Sequence, residues 1–255
     1  MLESLPIFAD TGLSELALWG LIVAAYATSA MTAAFGIGGG VALLAIMSMV
    51  IPVATLIPAH GIVQMGSNAG RAWHLRSHIR WTFMLAFAIG AILGTAVGSQ
   101  IVIALPDALL KIILALFVLF LVWAPRPKFM QGGAATIGFG GAFSSLVGMF
   151  VGATGPLVAA IVAGKAPDRQ GVVATHATAM TLQHGLKIIA FGFVGFAFKA
   201  WIGLLLAMIA SGYLGTITGG KILHMMDESL FRKIFKYLLT GLALLMLLNA
   251  VRTLL

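Results

Sequence analysis

The sequence predicts an all-α polytopic membrane protein, and three observations carry that reading. Of its 255 residues, 61% are hydrophobic and only 9% are charged, with a mean hydropathy of +1.09, a balance outside the range of soluble domains. Apolar windows of spanning length recur, and a helix needs roughly 20 apolar residues to cross the hydrocarbon core, which favours helices over alternating barrel strands. The polar pieces also occur twice: Phe35-Gly36-Ile37-Gly38-Gly39-Gly40 returns as Val151-Gly152-Ala153-Thr154-Gly155-Pro156, and the run 60–71 returns as 176–187, both at an offset of 116 (36 to 152, 60 to 176). The duplication predicts a single membrane domain over 1–255 built from two homologous repeats, 16–124 and 132–254, each with a discontinuous helix, and about eight transmembrane segments.

The first helix is expected over 16–35, an apolar run of full spanning length. Met1-Leu2-Glu3-Ser4-Leu5 lacks the basic stretch of a signal peptide, so this helix is expected to be retained in the membrane. The glycine run then breaks it, and a further segment over 41–51 stops at Pro52. Next come a segment from Pro58 to about 73, the basic stretch 71–80, a span over 81–104, a turn at Pro106-Asp107 and a span over 108–123. Ala124-Pro125-Arg126-Pro127-Lys128 separates the halves. The second half begins near Gly132, breaks at 152–156, passes a loop over 165–169, and continues through apolar stretches over 171–198 and 201–220. Beyond Lys187 the pairing resumes at an offset of 121 (Leu93-Gly94-Thr95 with Leu214-Gly215-Thr216), which implies a five-residue insertion.

The net charge of +8 is read as cytoplasmic loops obeying the positive-inside rule, and no nucleic-acid partner is expected. The basic clusters 71–80, Arg126 with Lys128, and 221–236 are placed in the cytoplasm; Glu3, Asp10 and Glu15 point to an outside N-terminus. That pattern needs an odd number of crossings per half and therefore inverted repeats, with the segments flanking Pro52 and Pro167 paired as short hairpins. Lys165, Asp168 and Arg169 would be costly at a buried hairpin tip, so an eight-span parallel arrangement stays open. The absence of cysteine excludes disulfides, thiolate metal sites and cysteine catalysis.

The glycine-rich run at 36–40 holds a helix poorly, each glycine costing roughly 1 kcal/mol relative to alanine. A helix restarting there presents free amides and the positive end of its dipole to an anion. Pro156, at the equivalent break, suits the first turn of a helix. The competing reading is that these glycines only let helices pack closely. A second element is His60, Ser67 and Arg71 with its counterpart His176, Gln183 and Lys187, both spaced i, i+7, i+11. At 100° per residue each set falls within roughly 40° of arc, and Gln64, Asn68 and His184 widen these stripes. Lys187, inside apolar sequence, is the sharper candidate for a cavity, whereas Arg71 borders His74, Arg76, His78 and Arg80 and reads more simply as the start of a cytoplasmic loop. His60 and His176 serve equally well as packing residues or as ligands and proton carriers. His74 and His78, four apart, lack the partners of a zinc site and read as loop residues; no metal or other cofactor is expected.

All seven acids, Glu3, Asp10, Glu15, Asp107, Asp168, Asp227 and Glu228, fall at termini or span ends. A cation pump, a carboxylate-built sodium site or an intramembrane aspartyl or zinc protease needs an acid within a span. The buried charge is cationic and imidazole, so the preferred solute is an anion.

At this point the residues resemble the TauE/SafE anion permeases, also called the toluene sulfonate uptake permease group. The resemblance covers nearly the whole chain. It rests on Gly36-Ile37-Gly38-Gly39-Gly40, the 59–71 segment with Ile79-Arg80-Trp81-Thr82, Gly90-Ala91-Ile92-Leu93-Gly94-Thr95, Ala174-Thr175-His176-Ala177, Lys199-Ala200-Trp201 and Leu214-Gly215-Thr216. It departs in the second glycine run and at His60 and His176, where the family usually has small hydroxyl residues. The resemblance implies export or uptake of small sulfur-containing anions, such as sulfite or organosulfonates, across the bacterial inner membrane by a multi-pass protein. Residues and resemblance together point to a secondary transporter with its site between the halves, made of Gly38, Gly39, Gly40, His60, Gln64, Ser67, Arg71, Thr154, Gly155, His176, Gln183 and Lys187. The expected partners are a small anionic substrate, the lipid bilayer and a coupling proton or ion, with a homo-oligomer left open. A passive anion channel and an intramembrane enzyme are the alternatives; the lack of any nucleophile and base constellation weighs against the enzyme.

Overall fold

The computed structural model describes residues 11–35, 38–102, 106–123, 133–163, 168–222 and 228–254. Among these residues there are ten α-helices and no strand. In chain order they are α1 (Glu15–Phe35), α2 (Gly39–Met47), α3 (Val53–His74), α4 (Trp81–Val102), α5 (Asp107–Trp123), α6 (Ala134–Val151), α7 (Gly155–Ala163), α8 (Arg169–Phe193), α9 (Ile202–Ile222) and α10 (Glu228–Leu254). Short 3₁₀ turns, Arg76–His78 and Phe198–Trp201, precede α4 and α9.

Among the described residues, four stretches are long and apolar enough to cross a membrane, Glu15–Ala33, Trp81–Val102, Ala134–Val151 and Phe198–Gly219, and Ala108–Trp123 is a shorter apolar helix. Their outer faces are apolar too: Leu85, Ile89, Ile92, Leu93 and Val97 of α4 all stand exposed. Helices hydrophobic all round are suited to lipid.

Two boundaries differ from expectation, each for a local reason. α3 starts at Val53 and carries Pro58 inside it, because Pro52, extended at φ −57° and ψ 145°, occupies the N-cap. α8 starts at Arg169 because Asp168 caps it, its Oδ1 accepting from the Gly171 amide at 2.6 Å. The acid expected to be costly at a hairpin tip thus satisfies a helix N-terminus. Lys165 and Pro167 lie outside the described residues. α8 is 25 residues long against 22 for α3, and the connection after it is longer than the one after α3.

Helices pack in four main pairs: α4 with α6, α1 with α9, α3 with α8 and α5 with α10. The first two are glycine seams. A Cβ on Gly90 would fall on the Gly138 carbonyl, one on Gly94 on the Ala142 carbonyl, and one on Gly98 would sit 2.8 Å from Met149 Cγ. Across α9 and α1, a Cβ on Gly215 or Gly219 would fall on the carbonyls of Tyr26 or Ala30. In both seams residue numbers rise together, so the paired helices run in the same direction and approach backbone to backbone. The inner pair is different. Gly61 of α3 faces Lys187, Ile188 and His184 of α8, while Gly185 faces Met65, so α3 and α8 run antiparallel. The short helices α2 and α7 sit inside this frame; Val41, Leu43, Leu44, Ala45 and Met47 of α2 are all buried.

Candidate functional site

Both breaks place the start of a nine-residue helix in the interior. Gly38, at φ +105°, turns the chain into α2 with no side-chain cap, so the first-turn amides of α2 have no intrahelical partner. Gly39 is held by packing, since a Cβ there would fall on the Thr28 carbonyl and Thr32 Oγ1. In the second half Gly152, at φ +74°, ends α6, and α7 begins at Gly155 with Leu157 and Val158 donating to the Thr154 carbonyl.

The two helix starts face one small cavity, about 40 Å³ in volume. One wall is a stripe of α3, His60, Gln64, Asn68 and Arg71, spaced i, i+4, i+8, i+11; a second is His176, Met180 and His184 of α8. Thr32, Gly38, Gly40, Val41, Ala153, Gly155 and Pro156 close the ends. Each break is tied to a histidine: His60 Nε2 lies 2.9 Å from the Gly40 carbonyl and His176 Nε2 lies 3.0 Å from the Gly155 carbonyl. Arg71 Nη2 donates to Asn68 Oδ1 at 2.8 Å, and Asn68 Nδ2 donates to the Gln64 carbonyl at 2.8 Å. Arg71 Nε is buried without a partner. Among the described residues, none that lines the cavity carries a carboxylate. A guanidinium, a glutamine amide and the uncapped start of α2 converge here with the start of α7, an arrangement whose donors can offer hydrogen to a small anion.

Seven of the twelve expected residues line this cavity: Gly38, Gly40, His60, Gln64, Arg71, Gly155 and His176. Gly39, Ser67, Thr154, Gln183 and Lys187 do not. Lys187 is only 4% exposed and donates to the Gly152 carbonyl at 2.8 Å, placing an ammonium at the negative end of α6. Gln183 is equally committed: its amide donates to Ser144 and Ser145 hydroxyls at 2.8 Å each, and its carbonyl accepts from Thr154 Oγ1 at 3.0 Å. These bonds tie α6, the break and α8 into one piece, whereas Ser67, at the equivalent place in the first half, has no such set of partners. Arg71, which sequence reading placed at a loop, turns back along α3 into the cavity, as helical side chains lean toward the N-terminus. Thr32 and Met180 carried no sequence signal of their own. Asn68 and His184 did, as the i+8 positions of the same stripes.

The family described as Sulfite exporter TauE/SafE matches residues 21–246. Among curated proteins and solved structures nothing matches.

The Gln183 network generates a prediction. Buried polar contacts between membrane helices average about 0.6 kcal/mol each. Gln183→Leu is therefore expected to lower stability by about 2 kcal/mol and Ser67→Ala by less than about 0.5. Thermal unfolding in detergent checks this, and equal melting of both variants would show that the network does not brace the second half.

Proposed function

The chain belongs to the sulfite exporter TauE/SafE family, and on that premise we propose that it is a secondary transporter of a small sulfur-containing oxyanion, sulfite or an organosulfonate, in a bacterial inner membrane. The observation that carries the reading is Arg71, with Nε unpartnered, in a cavity whose described lining holds no carboxylate and where two interrupted helices begin. Oxyanion oxygens would accept from Arg71, from Gln64, from the first-turn amides of α2 and from the Gly155 amide at the start of α7, where Pro156 has no N–H and Leu157 already donates to Thr154. Buried cations that face a cavity in a membrane bundle mark solute pathways.

Two features support a two-repeat, inverted arrangement. The first is reciprocity: Gly94 meets Ala142 while Gly215 meets Tyr26, so each partner exchanges with its counterpart in the other half (94 to 215, 26 to 142). The second is direction. The equivalent helices α3 and α8 run antiparallel, as halves related by an axis in the membrane plane require; parallel repeats would align them. The site would then lie near that axis, and rocking of one half against the other would expose it to each side in turn.

Two experiments follow. In proteoliposomes, radiolabelled sulfite flux is expected to saturate and to be stimulated by sulfite on the far side, with Arg71→Gln weakening apparent affinity roughly tenfold to a hundredfold, as loss of a charged hydrogen bond does. Linear, unstimulated flux would favour a channel, and unchanged affinity in Arg71→Gln would place the solute elsewhere. The protein has no cysteine, so single cysteines can be labelled without background. Ser77→Cys before α4 and Lys199→Cys before α9 are expected to react with an impermeant maleimide from opposite sides of the membrane. Labelling from the same side would overturn the inverted arrangement.

A further inference from the structure

Among the described residues, three buried side-chain nitrogens lack a hydrogen-bond partner: His60 Nδ1, His184 Nδ1 and Arg71 Nε. All three belong to residues lining the cavity. Buried polar atoms in native folds are paired as a rule, and a cluster left open points to a ligand. The cavity offers groups of two kinds, and to the three buried atoms it adds the ring of His176, which lines it without belonging to that buried set. Arg71 Nε always carries hydrogen and can only donate. His60 and His176 each direct Nε2 at a carbonyl, of Gly40 and Gly155. A carbonyl only accepts, so Nε2 holds the hydrogen, and in a neutral imidazole Nδ1 is left as an acceptor.

An anion site walled by acceptors conflicts with itself, because a deprotonated oxyanion has no hydrogen to offer them. The conflict disappears when a proton enters with the solute. His176 is the better seat of the two. It is partly open, lines the cavity, and lies within electrostatic reach of Arg71 from α3, with His184 the other titratable neighbour. His60 is fully buried and faces Lys187, whose ammonium is already held by Gly152, and His184.

Resting on the oxyanion reading above, we propose that each solute crosses together with one proton held between a solute oxygen and Nδ1 of His176, while Arg71 Nε donates to another oxygen of the same solute. No bond within the solute is made or broken. The proton is taken up on one side and released with the solute on the other, so a monovalent anion moves without net charge. The carbonyl of Gly155 fixes the ring in the tautomer this requires, which makes the interrupted helix α7 part of the coupling device.

The test uses the full-length protein in vesicles of uncharged lipid, with a pH-sensitive dye inside and the potential set by potassium and valinomycin. Methanesulfonate is the probe, since it is a monovalent anion that brings no proton of its own. One proton is expected to enter per methanesulfonate, at a rate indifferent to the sign of the potential. His176→Gln, whose amide can still donate to the Gly155 carbonyl but which has no Nδ1, is expected to take up methanesulfonate without the proton, so that its rate follows the potential. Wild-type uptake that is driven by the potential without acidification overturns the proposal, as does one-to-one proton entry in His176→Gln. The wild-type stoichiometry decides on its own if that variant does not fold. Wild-type vesicles that take up neither sulfite nor methanesulfonate above protein-free vesicles would overturn the transporter reading itself, and this proposal with it.

Discussion

The structure depends on one constraint: α3 and α8 each carry a polar stripe that lipid cannot accept, and the two stripes are buried by facing each other across the helix breaks. His60, Gln64, Asn68 and Arg71 on one helix and His176, Met180 and His184 on the other line a shared cavity. In hydrocarbon an unsatisfied polar group costs several kcal/mol, so such helices are stable only when enclosed by protein or facing a water-filled space. Antiparallel crossing brings the histidine near the start of one stripe beside the cation at the end of the other. His176 thereby lies near Arg71, and His60 near Lys187.

Enclosure in turn demands that the outer helices approach closely. The glycine seams between α4 and α6 and between α1 and α9 supply that approach, because a single Cβ at Gly94 or Gly215 would meet the opposing backbone. The nine-residue helices α2 and α7 begin inside this frame, which they could not do if the chain ran through the breaks as unbroken helix. The glycines of the duplicated breaks and those of the seams therefore serve different ends. Gly38 and Gly152 adopt positive φ and turn the chain, while Gly90, Gly94 and Gly215 admit a neighbour.

Much of this was legible in the sequence, since composition and spacing are local properties. Apolar runs placed α1, α4, α5, α6 and α9 to within a few residues, and the offset of 116 located both breaks and both histidines. What could not be read was where side chains go once helices cross. Lys187 and Arg71 occupy matching positions, yet Lys187 reaches back to the Gly152 carbonyl at the end of α6 while Arg71 bonds its own helix and keeps Nε free. Ser67 and Gln183 share a helical face with their histidines, but Gln183 meets the hydroxyls of α6 instead of the cavity. Such choices are made by tertiary neighbours and leave no periodic trace. Pro58 misled for a related reason: the helix start was decided by Pro52, whose extended backbone caps α3.

The asymmetry between the halves follows from the same facts. The second half spends its cation and its amide on bracing the break, and the first half leaves Arg71 to the cavity. The most direct test of this account is a difference map from protein crystallised with and without selenite, an oxyanion whose selenium scatters anomalously. A peak between the starts of α2 and α7, within hydrogen-bond distance of Arg71 Nε, is the predicted result. A peak beside Lys187 with Arg71 uninvolved, or none in this cavity at a concentration that saturates transport, would contradict it.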